Sequence, residues 1–221
     1  MTAQISDDDL RSQTILMGDA MGAQKTLIIG CGAIAREILA IKQANGWDHL
    51  DLLCLPAIWH NTPDKIPQGV ADMVQKHRDS YAQIFVAYAD CGTGGMLQKT
   101  CDDLGVQMIK GPHCYAFFQG DTMFAGHEDA DITAFYLTDF LARQFDAFVW
   151  RPLGLDRHPQ LLDSYFGHYD RLVYLAQIDD PQLTQKAQDC ADRMGLHFER
   201  RITGYGDLTQ WMGAAAQPQN S

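Results

Sequence analysis

Thiol and imidazole side chains stand directly after four predicted strands of the chain. Cys31 follows the first strand, His60 the second, Cys91 the third, and His113 with Cys114 the fourth. The carboxyl ends of parallel strands meet at one edge of a sheet, and open α/β folds bind their ligands at that edge. We therefore expect these side chains to converge on one site.

The residue types predict a soft-ligand site. Thiolates and imidazoles suit zinc, and three thiolates can also hold an iron–sulfur cluster with one open iron. We predict a Zn²⁺ site, or alternatively a [4Fe–4S] cluster, built from four candidate ligands: Cys31, Cys91, Cys114 and His113. Because His113 and Cys114 are adjacent, one ion is not expected to bind both, and Cys114 is preferred.

A metal-free alternative uses the same residues. Cys91 comes just before a predicted helix, whose N-terminus would stabilise a thiolate. Cys91 would then be the catalytic nucleophile or base, and His60 or His113 its partner. The other cysteines have structural interpretations, Cys54 as a small core residue of a strand and Cys101 and Cys190 as helix residues.

Three glycines beside the cysteines are candidates for cofactor binding, because they leave room for a ligand: Gly30, Gly32 and Gly92. The stretch GCGAIA resembles the start of a dinucleotide-binding fingerprint, but no acidic residue ends the second strand, which argues against NAD. The turn DCGTGG lacks the lysine of a phosphate-binding P-loop. Its backbone amides are nevertheless suited to binding an anion at a helix N-terminus.

Strands and helices alternate along the sequence. The predicted strands are 25–31, 51–55, 83–89, 106–110, 171–177 and 197–203, and the predicted helices are 32–45, 70–78, 96–104, 131–148, 159–166 and 181–194. This alternation predicts an α/β fold with a mainly parallel, Rossmann-like or flavodoxin-like sheet of about six strands and helices on both faces. We expect an N-terminal arm (1–24), a single α/β domain (25–212) and a flexible tail (213–221).

Composition excludes several classes of partner. The net charge is −11 over 221 residues, which argues against nucleic acid and against anionic membranes. No 18-residue apolar stretch predicts a membrane span, and Met1–Gln24 does not resemble a secretory signal. We expect a cytoplasmic protein with reduced thiols and a small-molecule substrate. The aromatic stretch around Phe135 is interpreted as core, with a homodimer face as the alternative.

Several ordered motifs carry a resemblance to a known family. IIGCGAIAREI, LPAIWHNTPDKIP, YADCGTGG, GPHCYAFF and FYLTDFLARQFD, together with the stretch from LGLDRHPQ to VYLAQ, resemble the DUF1638 family from about Lys25 to Leu208. The resemblance implies a context of corrinoid-dependent methyl transfer and one-carbon metabolism, with a corrinoid protein or methyltransferase as a partner. Four functions stay open at this point: a metal-dependent enzyme, an iron–sulfur lyase, a metal-free thiol enzyme and a non-enzymatic binding module.

Overall fold

The computed structural model describes residues 5–18, 24–120 and 132–217. Parts of the predicted arm, long helix and tail lie outside these residues. The chain divides into two compact units, one formed by the residues up to Cys114 together with those from Leu208 onward, and the other by Tyr115–Asp207. Each unit has its own sheet.

The first unit is built on a five-stranded sheet. Its strands are β1 (Ile15–Met17), β2 (Thr26–Cys31), β3 (Leu50–Leu55), β4 (Gln83–Ala87) and β5 (Gln107–Met108), in the order β1-β3-β2-β4-β5. Strands β2 to β5 are parallel, and β1 pairs antiparallel with β3. Every residue of β2 and β3 is buried, as expected for central strands covered on both faces.

The helices of the first unit connect these strands. They are α1 (Asp7–Ser12), α2 (Ala35–Asn45), α3 (Lys65–His77), α4 (Met96–Leu104) and a C-terminal helix (Asp207–Ala215) whose first residue belongs to the second unit. Right-handed crossovers place α2 on one face of the sheet and α3 and α4, which pack together, on the other. Gly46 ends α2 with φ 64°, in the left-handed conformation expected of a C-cap glycine.

The second unit contains three parallel strands: β6 (Ala134–Thr138), β7 (Arg171–Ala176) and β8 (His197–Ile202), in that order across the sheet. Its helices are α5 (Cys114–Gln119), which begins at the last residue of the first unit, α6 (Asp139–Arg143), α7 (Leu162–Phe166) and α8 (Pro181–Met194). The N-terminus of α8 is fixed by Asp180, whose carboxylate accepts hydrogen bonds from two backbone amides of the first turn.

Two predictions about the fold are wrong. The prediction of about six strands in one sheet fails, because the described residues form a sheet of five strands and another of three. The prediction of one helix over 131–148 fails because Ala134–Thr138 pairs as a strand with β7. The helix starts only at Asp139, where the Thr138 hydroxyl caps it by accepting a hydrogen bond from the Leu141 amide at 3.4 Å. The mainly parallel α/β architecture is confirmed.

In the part of the chain that the structure describes, no helix combines the length and the apolar character needed to cross a bilayer.

Candidate functional site

The carboxyl edge of the first sheet contains a topological switch point. The four parallel strands follow the spatial order second, first, third, fourth, so the connections after β2 and β4 run in opposite directions. Such a point opens a crevice between adjacent strand ends, and ligands of doubly wound folds bind there. Gly30 of β2 lies opposite Ala87 of β4, so the residues that follow them, Cys31 and Tyr88, lie side by side at this point.

Three cysteines from separate segments meet at the switch point. Cys31, Cys91 and Cys114 lie close enough for their charges and hydrogen bonds to change one another's pKa. Cys31 and Cys91 are each 8% exposed, while Cys114 is half-buried. The Cys31 sulfur also accepts a hydrogen bond from the Ala33 amide, at 3.4 Å. The structure thus brings together the three cysteines that the sequence placed at strand ends.

Cys91 has an unusual backbone conformation and an unusual thiol. Its φ is 49°, a left-handed conformation that is uncommon for a residue with a Cβ and often found at functional sites. Its amide donates a hydrogen bond to the Pro112 carbonyl at 2.9 Å, which ties the Cys91 turn to the segment preceding Cys114. A hydrogen bond from the Cys114 side chain lowers the pKa of the Cys91 thiol more than burial raises it.

The pKa values of the other five thiols are raised above the ordinary value for cysteine. Burial raises the pKa of Cys31 and Cys190 to about 12, that of Cys101 to about 11, and that of Cys54 well above its usual range. The hydrogen bond to Cys91, followed by burial, raises the pKa of Cys114. Cys91 is therefore the thiol of this chain that ionises most readily, with Cys114 as the proton-bearing partner.

The glycine-rich turn folds around its own aspartate. The Asp90 carboxylate accepts hydrogen bonds from the Gly95 amide at 2.7 Å, the Thr93 hydroxyl at 2.8 Å and the Gly94 amide at 3.1 Å. Burial raises the pKa of Asp90, but these hydrogen bonds and one from Gly92 outweigh it and lower the pKa. The amides that the sequence suggested for an external anion thus bind an internal one.

The two predicted histidines lie at the same edge of the sheet. Desolvation by the surrounding protein and repulsion from His113 lower the pKa of His60, although the residue is exposed overall. Burial also lowers the pKa of His113, while the negative charge of Asp90 opposes that shift. Both imidazoles are therefore biased towards the neutral form, which is the form that accepts a proton or binds a metal.

The three predicted cofactor-binding glycines have different surroundings. A Cβ on Gly30 would lie 3.4 Å from Ile38, and one on Gly32 would lie 2.1 Å from the Leu10 carbonyl oxygen. Close packing against α1 therefore accounts for glycine at position 32, whereas a Cβ at position 30 would make only ordinary van der Waals contacts. Gly92 has φ 81°, and a Cβ there would lie 3.6 Å from Pro63. The cofactor role of all three glycines stays a prediction.

The fit of the thiols to a metal is mixed. Three sulfurs from three segments match the chemistry of zinc or of a cluster. Within residues 5–18, 24–120 and 132–217, however, no three histidine, cysteine, aspartate or glutamate side chains are arranged to hold a metal ion. The metal assignments for Cys31, Cys91, Cys114 and His113 therefore stay predictions.

Two residues of the site were missed by the sequence interpretation. Tyr88 is the residue directly after β4 and packs beside Cys31, yet it looked like one more residue of an apolar strand. Asp90 could have been found, because an aspartate followed by glycine and threonine is typical of a turn closed by the side chain.

In the second unit, the buried Asp139 accepts hydrogen bonds from the Tyr174 hydroxyl at 2.7 Å and from two amides.

Comparisons with known proteins give the family but no activity. The model of the family described as "Protein of unknown function (DUF1638)" matches residues 54–212. No curated protein matches the chain. Among solved structures, ornithine carbamoyltransferase from Pyrococcus furiosus is 14% identical, covers 81% of this chain and 54% of its own, and has a TM-score of 0.25. The chain thus spans about half the length of that enzyme, and a likeness this distant carries no argument. The family model alone covers most of the chain, and the protein belongs to the DUF1638 family.

Proposed function

We propose that the protein is a thiol-dependent enzyme whose reactive group is the Cys91 thiolate at the switch point of the first sheet. The observation that carries the proposal is the pairing of Cys91 with Cys114. The Cys114 hydrogen bond lowers the pKa of Cys91, whereas the pKa of every other cysteine is raised. A thiolate is the nucleophilic form of cysteine, and reactive cysteines are recognised by such local stabilisation.

The surroundings support nucleophilic chemistry. Cys91 retains 8% of its surface and lies at the carboxyl edge of the sheet beside the switch point, where ligands of doubly wound folds bind. His60 and His113 are biased towards the neutral form, so either imidazole is suited to remove a proton from a substrate or an incoming nucleophile. The substrate would be a small electrophile that the Cys91 sulfur attacks.

The proposal is tested by competitive alkylation. The folded protein is treated with substoichiometric iodoacetamide near neutral pH, and the label on each of the six cysteines is quantified by mass spectrometry. We expect Cys91 to be labelled first, with Cys54 and Cys101, both fully buried, as unreactive internal controls. Cys91→Ser should abolish the fast phase. Equal labelling of Cys31, Cys91 and Cys114, or no fast phase, would contradict the proposal.

A second candidate function is a thiolate-bound zinc site, with a [4Fe–4S] cluster as its variant. One observation favours it: Cys31 influences the pKa of Cys114 and is itself influenced by Cys91, so all three sulfurs share one neighbourhood. Elemental analysis and an absorption spectrum of protein purified without oxygen decide the matter. About one zinc per chain would favour the metal site, iron with sulfide the cluster, and metal-free protein with a fast-reacting Cys91 the thiolate.

The biological context is a further proposal. The family resemblance suggests one-carbon metabolism and a corrinoid protein or methyltransferase as partner. Co-purification of tagged protein with a cobalt-containing protein, lost on mixing with excess untagged chain, would support that context. If no cobalt-containing protein copurifies, the proposed corrinoid partner is excluded, while the proposed role of Cys91 is unaffected.

A further inference from the structure

The side chains of Cys91 and Cys114 are in direct contact. The Cys91 sulfur accepts hydrogen bonds from both the thiol and the backbone amide of Cys114. A disulfide needs its two Cβ atoms about 3.5–4.5 Å apart. A sulfur that already contacts both the amide and the thiol of its partner lies within reach of that geometry, so the two residues can be joined with little movement of the backbone.

Backbone hydrogen bonds fix this contact. The Asp90 amide donates a hydrogen bond to the Gly111 carbonyl at 3.0 Å, and the Cys91 amide donates one to the Pro112 carbonyl at 2.9 Å. These consecutive bonds hold the turn that contains Cys91 against the segment that leads into Cys114. Because the fold keeps the two thiols together, the reaction of one with the other is effectively unimolecular and therefore fast.

The third cysteine of the site is held differently. The Cys31 sulfur accepts a hydrogen bond from the Ala33 amide at 3.4 Å, and its side chain is also hydrogen-bonded to that of Tyr88. Cys31 acts on Cys91 and Cys114 through its charge. The geometry therefore favours the pairing of Cys91 with Cys114. Since Cys114 is only half-buried, this pair is also in contact with solvent.

We propose that Cys91 and Cys114 are an oxidation site, at which hydrogen peroxide converts the two thiols into a reversible disulfide. One sulfur attacks a peroxide oxygen, the oxygen–oxygen bond breaks, and a sulfenic acid forms with release of water. The other sulfur attacks the oxidised sulfur, the sulfur–sulfur bond forms, and the sulfur–oxygen bond breaks to release a second water. The thiol protons leave in the water, and the electrons that the sulfurs lose reduce the peroxide.

This inference goes beyond the proposed function and does not depend on it. The disulfide removes both sulfurs from any reaction or metal site that uses them. Exchange with an external dithiol returns both thiols. The state of this site therefore follows the balance between peroxide and dithiol around the protein.

The test is peptide mapping after peroxide treatment. Trypsin cleaves after Lys99 and Lys110, so Cys91 and Cys114 fall in separate peptides, 79–99 and 111–143. The reduced, folded protein is treated with hydrogen peroxide in the presence of EDTA, free thiols are blocked with N-ethylmaleimide, and the digest is analysed by mass spectrometry without reductant. We expect the main cross-link to join these two peptides, and dithiothreitol to separate them.

Cys31→Ser is the matched control variant. It removes the neighbouring cysteine and keeps the pair, so the cross-link should form as in wild type. Cys114→Ser should abolish the cross-link and leave a sulfenic acid on Cys91, which dimedone traps. A main cross-link from Cys31 to either residue, or treated wild-type protein in which Cys91 and Cys114 remain unlinked, would overturn the inference.

The outcome is independent of the alkylation test of the proposed function. A cross-link between Cys91 and Cys114 in a protein without a fast-alkylating Cys91 would support this inference and remove the proposed function. A fast-alkylating Cys91 that forms no cross-link to Cys114 would do the reverse.

Discussion

Removal of the Asp90 carboxylate should measurably destabilise the protein, because that carboxylate holds the turn in which Cys91 lies. Asp90→Ala deletes the acceptor for the hydrogen bonds from Thr93, Gly94 and Gly95, with distances of 2.7–3.1 Å, and for the one from Gly92. It leaves intact the backbone hydrogen bond from Cys91 to the Pro112 carbonyl. The effect therefore isolates the side-chain contribution to the turn.

The magnitude follows from the number and setting of these bonds. A typical intramolecular hydrogen bond contributes about 0.5–1.5 kcal/mol net. Because Asp90 is only half-buried, water replaces part of what is lost, and we expect the free energy of unfolding to fall by about 2 kcal/mol. The hydrogen bonds lower the pKa of Asp90 despite opposition from burial. The stabilisation is therefore present above the ordinary carboxyl pKa of 3.8 and is lost as the pH falls through the lowered value.

The assay is urea unfolding of wild type and variant between neutral and acid pH. Asp102→Ala is the matched control. The Asp102 carboxylate is exposed on α4 and accepts a hydrogen bond from the Gln98 side chain. That change is expected to have almost no effect. An Asp90→Ala variant as stable as the Asp102→Ala control at neutral pH, or a loss that grows on acidification, would refute this account of the turn.

Three further predictions concern packing and the second unit. Gly32→Ala should lower the free energy of unfolding, measured with urea, by about 1–3 kcal/mol, because the new Cβ would lie 2.1 Å from the Leu10 carbonyl oxygen. Gly213→Ala is the control: its Cβ would have its nearest neighbour at 3.8 Å, so the change should be neutral or stabilising by up to about 1 kcal/mol. Asp139→Ala should cost about 3 kcal/mol, since it leaves the Tyr174 hydroxyl and two amides without their acceptor. Burial raises the pKa of Asp139. The difference in free energy of unfolding between wild type and this variant should therefore shrink as the pH rises above 3.8, and a difference that grows with pH would contradict the raised pKa. Tyr174→Phe should cost about 1 kcal/mol, and a cost equal to that of Asp139→Ala would show that the network does not depend on the carboxylate.

Most elements of the first sheet were predictable because local pattern and tertiary structure agree there. β2 is a short apolar run that ends in a glycine and a cysteine, and α2 combines helical periodicity with a C-cap at Gly46. The predicted helices 96–104 and 181–194 coincide with α4 and α8. Periodicity identifies elements but contains no information on strand order. The division into sheets of five and three strands therefore could not be derived.

The failed helix over 131–148 shows where local pattern is ambiguous. The stretch from Ala134 to Thr138 is apolar and aromatic, and such a run can form either a buried strand or the buried face of a helix. Pairing with β7 decides the outcome, with Phe135 opposite Leu172 and Leu137 opposite Tyr174. That pairing is a long-range interaction, which a window of sequence cannot reveal.

The site was predictable in outline but not in its chemistry. The rule that parallel strands deliver their following residues to one edge sufficed to group Cys31, Cys91 and Cys114. It could not show that Cys114 hydrogen-bonds to Cys91, because that contact depends on how the turn at residue 91 and the start of α5 meet. Nor could it single out Tyr88, which lies beside Cys31 because the parallel register sets Gly30 of β2 opposite Ala87 of β4.

The most direct test of the central claim is the pH dependence of the Cys91 alkylation rate in wild type, Cys114→Ala and Cys114→Ser. If Cys114 stabilises the Cys91 thiolate, the wild-type rate should rise with a midpoint below 9.0, the ordinary pKa of a cysteine. Cys114→Ala should move the midpoint upward, and Cys114→Ser, which keeps a donor, should restore part of the shift. A wild-type midpoint at or above 9.0, unchanged in both variants, would contradict the claim that Cys91 is the reactive thiolate.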